Sequence, residues 1–115
     1  MPLPSPDEAS VPRAKIVDYL LAAHHRTGSA KARWFASFGF SPVRWTELAD
    51  ALRTHALRNP VTLEDDTPLG RRYTVEGPIE TPDGRNPGVR SIGFVDAGRD
   101  ELRFVTAFPL RRRNV

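Results

Sequence analysis

Hydrophobic and polar positions alternate most clearly near the C-terminus. Two β-rich runs, residues 89–95 and 102–108, flank a polar turn at residues 96–100. This pattern predicts an antiparallel hairpin. Simple alternation places four residues on one face of the second run: Leu102, Phe104, Thr106 and Phe108. Because the other parity is also partly apolar, we expect this strand to be central and covered on both faces.

Further strands are expected just before this hairpin. Residues 71–80 alternate as a strand, in which Gly77-Pro78 indicates a bulge or an edge position. Residues 81–84 carry the proline and glycine of a type I turn. Residues 61–63 predict a short strand, followed by an acidic stretch at residues 64–66 that we expect to face solvent.

The first half of the chain is helical in pattern. Apolar residues recur at helical spacing in three segments, residues 13–23, 30–38 and 43–57. Gly28 and Gly39 break the first two helices, and Ser41-Pro42 is a start signal for the third. Helices followed by antiparallel strands predict an α+β domain, with three N-terminal helices packed on a three- or four-stranded antiparallel sheet.

This pattern predicts one domain over residues 12–110. It is preceded by a proline-containing leader, residues 1–11, that we expect to be disordered, and followed by a basic tail, residues 111–115. The 115 residues contain no cysteine, which excludes disulfides, thiolate metal sites and a cysteine nucleophile. No apolar run is long enough to cross a membrane, so we expect a cytoplasmic protein with no membrane partner.

The charge balance makes RNA a reasonable partner. The chain has 17 Lys+Arg against 14 Asp+Glu, and only Lys15 and Lys31 are lysines. Arginine matches phosphate oxygens in bidentate geometry. Codon usage in a GC-rich genome would produce the same excess of arginine, and a net charge of +3 is modest.

Common catalytic motifs are missing from the sequence. It has no Gly-rich phosphate loop, CxxC, HExxH or GxSxG, and no carboxylate pair spaced for glycoside hydrolysis. Three histidines, two of them adjacent, do not form a recognisable zinc pattern. We therefore expect neither a metal nor a cofactor.

The remaining side chains match the needs of a metal-independent ribonuclease. Such an enzyme needs a base for the 2′-hydroxyl, an acid for the departing 5′-oxygen, and cations or donors around the phosphate. The catalytic candidates are His25, Lys31, His55 and Thr106. Each also has a structural interpretation: a helix-end histidine, a solvated lysine, a boundary histidine and an ordinary strand threonine.

Three strand arginines are candidates for substrate binding. These are Arg72, Arg90 and Arg103. Strand-surface positions without a ligand are the alternative interpretation for all three.

The sequence resembles a small bacterial family of unknown function that occurs alone and at the ends of polymorphic-toxin and adhesin-like proteins. The matching segments are KIVDYLL, HHRTGSAKARWFASFGF, WTELADAL, YTVEGPIETPDGR and VRSIGFVDAGRDELRFVTAFP, which cover nearly all of the chain after the leader. The ending, a strand–turn–strand with a threonine before an aromatic residue and a proline, is similar to that of barnase–EndoU–colicin–RelE toxin ribonucleases.

The resemblance implies an active site on the sheet. It points to His25 and Lys31 of the H-x-x-G-x-x-K segment and to Thr106 of the last strand, with His55 and Arg90 as second-rank candidates. His25 would act as general base or acid, Lys31 and Arg90 would hold the phosphate, and Thr106 would donate a hydrogen bond.

Two functions of different classes follow, and plain nucleic-acid binding without cleavage is a third, which the lack of regular basic and aromatic interleaving disfavours. The leading hypothesis is a metal-independent RNase-like toxin domain, with RNA as substrate and an acidic antitoxin or immunity protein as partner. The alternative is a non-catalytic binding or immunity-type module whose basic sheet face docks an acidic protein.

Overall fold

The computed structural model of the chain describes Val11 and residues 29–110, which form two helices followed by a four-stranded sheet. The helices are α1 (Ser29–Ala36) and α2 (Trp45–Arg58). The strands are β1 (Val61–Thr67), β2 (Gly70–Pro78), β3 (Gly88–Asp96) and β4 (Leu102–Pro109). The α+β class is confirmed. The predicted helix over residues 13–23 and the tail at residues 111–115 lie outside the described residues.

Helix α2 supplies the central apolar face. Its buried side chains are Leu48, Ala49, Ala51, Leu52 and His55, which follow the predicted stripe. The helix begins at Trp45, not at residue 43, and no side chain caps its N-terminus, so the predicted start at Ser41-Pro42 is wrong. It ends at Arg58, where the side-chain amide of Asn59 donates a hydrogen bond of 3.0 Å to the His55 carbonyl.

Helix α1 is held by an aromatic cluster. Phe35 is fully buried, and the ring of Trp34 meets it edge-on with centroids 5.0 Å apart. The chain then turns through Gly39, whose φ of +102° favours glycine. Val11 is also buried in this core, alongside Phe35.

The four strands form an antiparallel meander in the order β1-β2-β3-β4. The central strands are therefore β2 and β3, and the expectation that β4 is central is wrong. Both faces of β4 carry apolar residues although it is an edge strand, and α1 packs against it. The predicted turn is confirmed, since the Gly84 amide donates to the Thr81 carbonyl at 3.0 Å.

A β-bulge in β4 reverses the predicted face of its last residues. Ile92 pairs with Thr106 and Gly93 pairs with Phe104, so Val105 is an extra residue on β4. Leu102 and Phe104, before the bulge, and Ala107, after it, are therefore all buried on the helix side of the sheet. Thr106 lies on the opposite face from Leu102 and Phe104, although simple alternation places all three together.

The acidic stretch at residues 64–66 is itself part of strand β1. β1 continues to Thr67, and its side chains pair with arginines of β2 across the hairpin. Asp66 bonds Arg71 at 2.7 Å, and Asp65 bonds Arg72 at 3.0 Å. These cross-strand charge pairs offset the low strand propensity of aspartate, so the prediction of a strand ending at residue 63 is wrong.

The sheet therefore has two different faces. One face packs on the helices around Val75, Val89 and Ala107. The other, here called the open face, carries no helix among the described residues. The sheet comes close to the end of α2 at Gly77. A Cβ on this residue would lie 2.0 Å from the side-chain oxygen of Asn59, the residue that follows the helix.

Candidate functional site

The register of the sheet arranges the open face in three cross-strand rows. Each row takes one residue from each of β2, β3 and β4. The rows are Glu76–Arg90–Phe108, Thr74–Ile92–Thr106 and Arg72–Phe94–Arg103. A shallow groove runs over the first two rows and reaches Thr62 and Leu63 of β1. Most of the polar candidates from the sequence thus share one surface.

Lys31 and Thr106 meet on this face. Lys31 is in the first turn of α1, and its Nζ donates a hydrogen bond of 3.1 Å to Thr106 Oγ1, a residue 75 positions away. The contact requires both the packing of α1 beside β4 and the bulge at Val105 that turns Thr106 outward. Lys31 Nζ is also 5.5 Å from the ring centroid of Phe108. Two of the predicted catalytic residues, Lys31 and Thr106, are therefore direct neighbours.

Arg90 brings a second cation to the same aromatic ring. Its guanidinium carbon lies 5.6 Å from the Phe108 centroid. Its Nε donates a bond of 2.6 Å to Glu76 Oε2, directly across the β2–β3 pair. The lysine of α1 and the arginine of β3 thus lie on a shared platform beside the Thr106 hydroxyl.

Glu76 belongs to the site, although it is not among the candidates predicted from the sequence. Within the described part of the chain it is the one carboxylate that lines the groove. Hydrogen bonds from Arg90 and Thr62 lower the pKa of its carboxyl group, so it is ionised at neutral pH and holds Arg90. In β2, the apolar residues Tyr73 and Val75 alternate with Thr74 and Glu76. This alternation is the signal in the sequence that places Glu76 on the face opposite the core.

Arg72 and Arg103 lie on the same face, in the third row. Each is paired with an aspartate, Arg72 with Asp65 at 3.0 Å and Arg103 with Asp96 at 2.9 Å. The bond from Arg103 lowers the pKa of Asp96, and the pKa of Arg103 is raised in return. Both arginines are thus held in ion pairs, in the row away from Lys31 and Thr106.

His55 is on the other side of the sheet. It is 1% exposed, and its Nε2 lies 3.1 and 3.0 Å from the carbonyl oxygens of Gly77 and Val89. Since a carbonyl only accepts, Nε2 carries the proton and donates. Nδ1 then accepts from the Ser91 hydroxyl at 3.0 Å. Burial lowers the pKa of His55, so the imidazole is neutral, and the structure does not bring it to Lys31 and Thr106.

His25 lies outside the described residues, so its predicted role stays a prediction. Among residues 29–110 and Val11, no three histidine, aspartate or glutamate side chains converge to hold a metal ion. In the same part of the chain, no helix is both long and apolar enough to span a bilayer.

One of three comparisons with known proteins identifies a family. A search of curated proteins found no match, and a search of solved structures also found none. A family model described as "Domain of unknown function (DUF6883)" matches residues 2–111. That range covers nearly the whole chain, and the chain therefore belongs to this family of small domains.

Proposed function

We propose that the chain is a metal-independent RNase-like toxin domain that cleaves RNA on the open face by general acid–base chemistry. The family description names no activity, so the proposal is supported by the site itself. The observation that carries it is the hydrogen bond of 3.1 Å between Lys31 and Thr106, with Arg90 on the same Phe108 platform.

In the proposed reaction, a base removes the proton of a ribose 2′-hydroxyl. The 2′-oxygen attacks the adjacent phosphorus, and the 5′-oxygen leaves with a proton from an acid. Negative charge builds up on the phosphate oxygens in between. Lys31 and Arg90 supply fixed positive charge at that point, which is the kind of preorganised stabilisation that enzymes use most.

Thr106 adds a hydrogen-bond donor to this arrangement. Its oxygen already accepts from Lys31 Nζ, so its own O–H is directed elsewhere and can donate to a phosphate oxygen. Glu76 is a positioning residue: its bond to Arg90 Nε fixes the guanidinium beside Phe108. The terminal amino groups of Arg90 then serve for bidentate contact with phosphate.

We assign the role of general base or general acid to His25, as the resemblance through the H-x-x-G-x-x-K segment implies. A histidine titrates near neutral pH and can perform either step. His25 precedes Lys31 by six positions, and Lys31 has its Nζ at Thr106. The proposal therefore links one segment of the chain to both the proton transfer and the phosphate charge.

The test is cleavage of a fluorescent single-stranded RNA by the purified chain in the presence of a chelator. We expect activity without added metal, lowered about 10²–10³-fold by Lys31→Ala and by Thr106→Ala. Arg33→Ala is the matched control because Arg33 is an exposed cation on the same helix as Lys31. Full cleavage by both Lys31→Ala and Thr106→Ala would rule out the assigned roles.

The second candidate is a non-catalytic binding or immunity-type module that docks an acidic protein on its open face. One observation favours it: the groove on this face reaches an exposed apolar side chain of β1. Leu63, which is 53% exposed, adds an apolar contact at the edge of the groove. In this case partner binding would weaken with salt and with loss of Arg72 or Arg103, but would not respond to His25→Ala.

A further inference from the structure

We infer that the open face binds an extended single strand of RNA, with a phosphate at Lys31, Thr106 and Arg90 and a base stacked on Phe94. This inference rests on the proposed function, because its phosphate position is the proposed place of cleavage. It adds the form of the substrate and a binding position that the catalytic proposal does not contain.

Phe94 is an aromatic platform between two cations. It is half-buried on β3, and the register places Arg72 on one side of it and Arg103 on the other. The Arg103 guanidinium carbon is 5.1 Å from the Phe94 ring centroid. An aromatic ring next to arginine is the arrangement with which proteins stack single-stranded bases, because every base has a π-face.

The ring of Phe94 packs directly on Gly70, which has no side chain. A Cβ on Gly70 would lie 2.7 Å from Phe94 Cε1 and 2.2 Å from the Val95 carbonyl oxygen. The φ of Gly70, +147°, also favours glycine. The ring of Phe94 therefore lies against bare backbone of β2, and a base stacked on it would share the ring with the Arg103 guanidinium.

The spacing of the two positions selects a single strand. Phe94 is four residues along β3 from Arg90, which is about 13 Å in an extended strand. Stacked bases of a duplex follow one another at about 3.4 Å and cover each other's faces. Only a strand with unstacked bases can place a phosphate at Arg90 and a base face on Phe94 at once.

The experiment measures binding without cleavage. A short fluorescent 2′-O-methyl oligoribonucleotide has no 2′-hydroxyl to react, and its affinity for the full chain is measured by fluorescence anisotropy. The same strand annealed to its complement is the duplex probe. We expect the single strand to bind more tightly than the duplex, and salt to weaken both.

Two variants of Phe94 separate stacking from packing. Phe94→Leu keeps an apolar side chain over Gly70 but removes the π-face, and we expect about tenfold weaker binding of the single strand. Phe94→Tyr keeps the ring, so its affinity should stay close to that of the original chain. Leu69→Ala is the control because Leu69 is 75% exposed and does not line the groove.

The inference is overturned if Phe94→Leu, with an unchanged thermal melting curve, binds the single strand as well as the original chain does. Equal affinity for single strand and duplex overturns it too, as does no binding of either probe. Cleavage is measured separately on unmodified RNA. Phe94-dependent binding without cleavage would remove the proposed reaction and retain the binding position, so the two failures are distinguishable.

Discussion

His55 is the polar centre of the core, and its removal should be costly. It links α2 to both central strands through the carbonyl groups of Gly77 and Val89 and through the Ser91 hydroxyl. His55→Ala leaves these three groups without their partner in a region that is buried. An orphaned buried polar group costs about 1–3 kcal/mol, and loss of a large core side chain costs about 2–5 kcal/mol through the void that it leaves.

Because neighbouring groups relax and water enters, these costs are not additive. We therefore expect His55→Ala to lower the free energy of unfolding by about 3–5 kcal/mol, out of a total of roughly 5–15 kcal/mol for a domain of this size. Urea titration followed by circular dichroism measures it. Ser91→Ala, which removes one bond and little volume, should cost about 1 kcal/mol.

The same residue predicts how stability depends on pH. Burial lowers the pKa of His55 in the folded state, while the unfolded chain protonates it near its ordinary value of 6.5. Below that pH the unfolded state binds more protons, so stability present above the unfolded pKa is lost as the pH falls. The slope from His55 is at most about 1.4 kcal/mol per pH unit.

A His55→Gln variant keeps a donor and an acceptor but does not titrate, so its stability should change less between about pH 7.5 and pH 5.5. The carboxyl groups with lowered pKa, such as Glu76 and Asp96, titrate at lower pH and contribute little in this window. If His55→Ala costs less than about 1 kcal/mol, or if His55→Gln shows the pH profile of the original chain, the account of His55 as a neutral core residue is refuted.

Two other predictions concern backbone packing and the site. Gly77→Ala should cost about 1–3 kcal/mol, because its Cβ would displace the Asn59 side chain from its bonds to the His55 and Pro78 carbonyls; a urea midpoint equal to that of the original chain would contradict this. Glu76→Gln removes the carboxylate that holds Arg90, so we expect a several-fold loss of RNA cleavage with unchanged melting temperature, whereas the exposed Glu47→Gln should cleave at the original rate.

Local pattern was enough to predict the main elements. The stripe of α2 and the hairpin of β3 and β4 follow from apolar spacing, and both are present in the structure. By local pattern alone, Glu64, Asp65 and Asp66 indicate an acidic, solvent-facing stretch after the strand. In the structure, arginines of β2 lie opposite Asp65 and Asp66 and allow these aspartates to join the strand. The arginines become their neighbours only after the hairpin forms.

The face of Thr106 could not be predicted for a related reason. Val105 and Ala107 are both apolar, so either parity of the strand is acceptable to the core, and nothing in the sequence marks Val105 as the bulged residue. Lys31 and Thr106 were each selected for their chemistry. Their contact depends on the packing of α1 beside the edge of β4, which a pattern within one segment does not reveal.

The meander order has a consequence for how the chain folds. Each strand pairs with the next one along the chain, so the sheet closes by short loops, and such contacts form quickly. The contact of α1 with β4 closes a loop of 75 residues, whose entropic cost is larger. Lys31 should therefore reach Thr106 after the hairpins have formed, so that a chain emerging from the ribosome has no assembled site until β4 is complete.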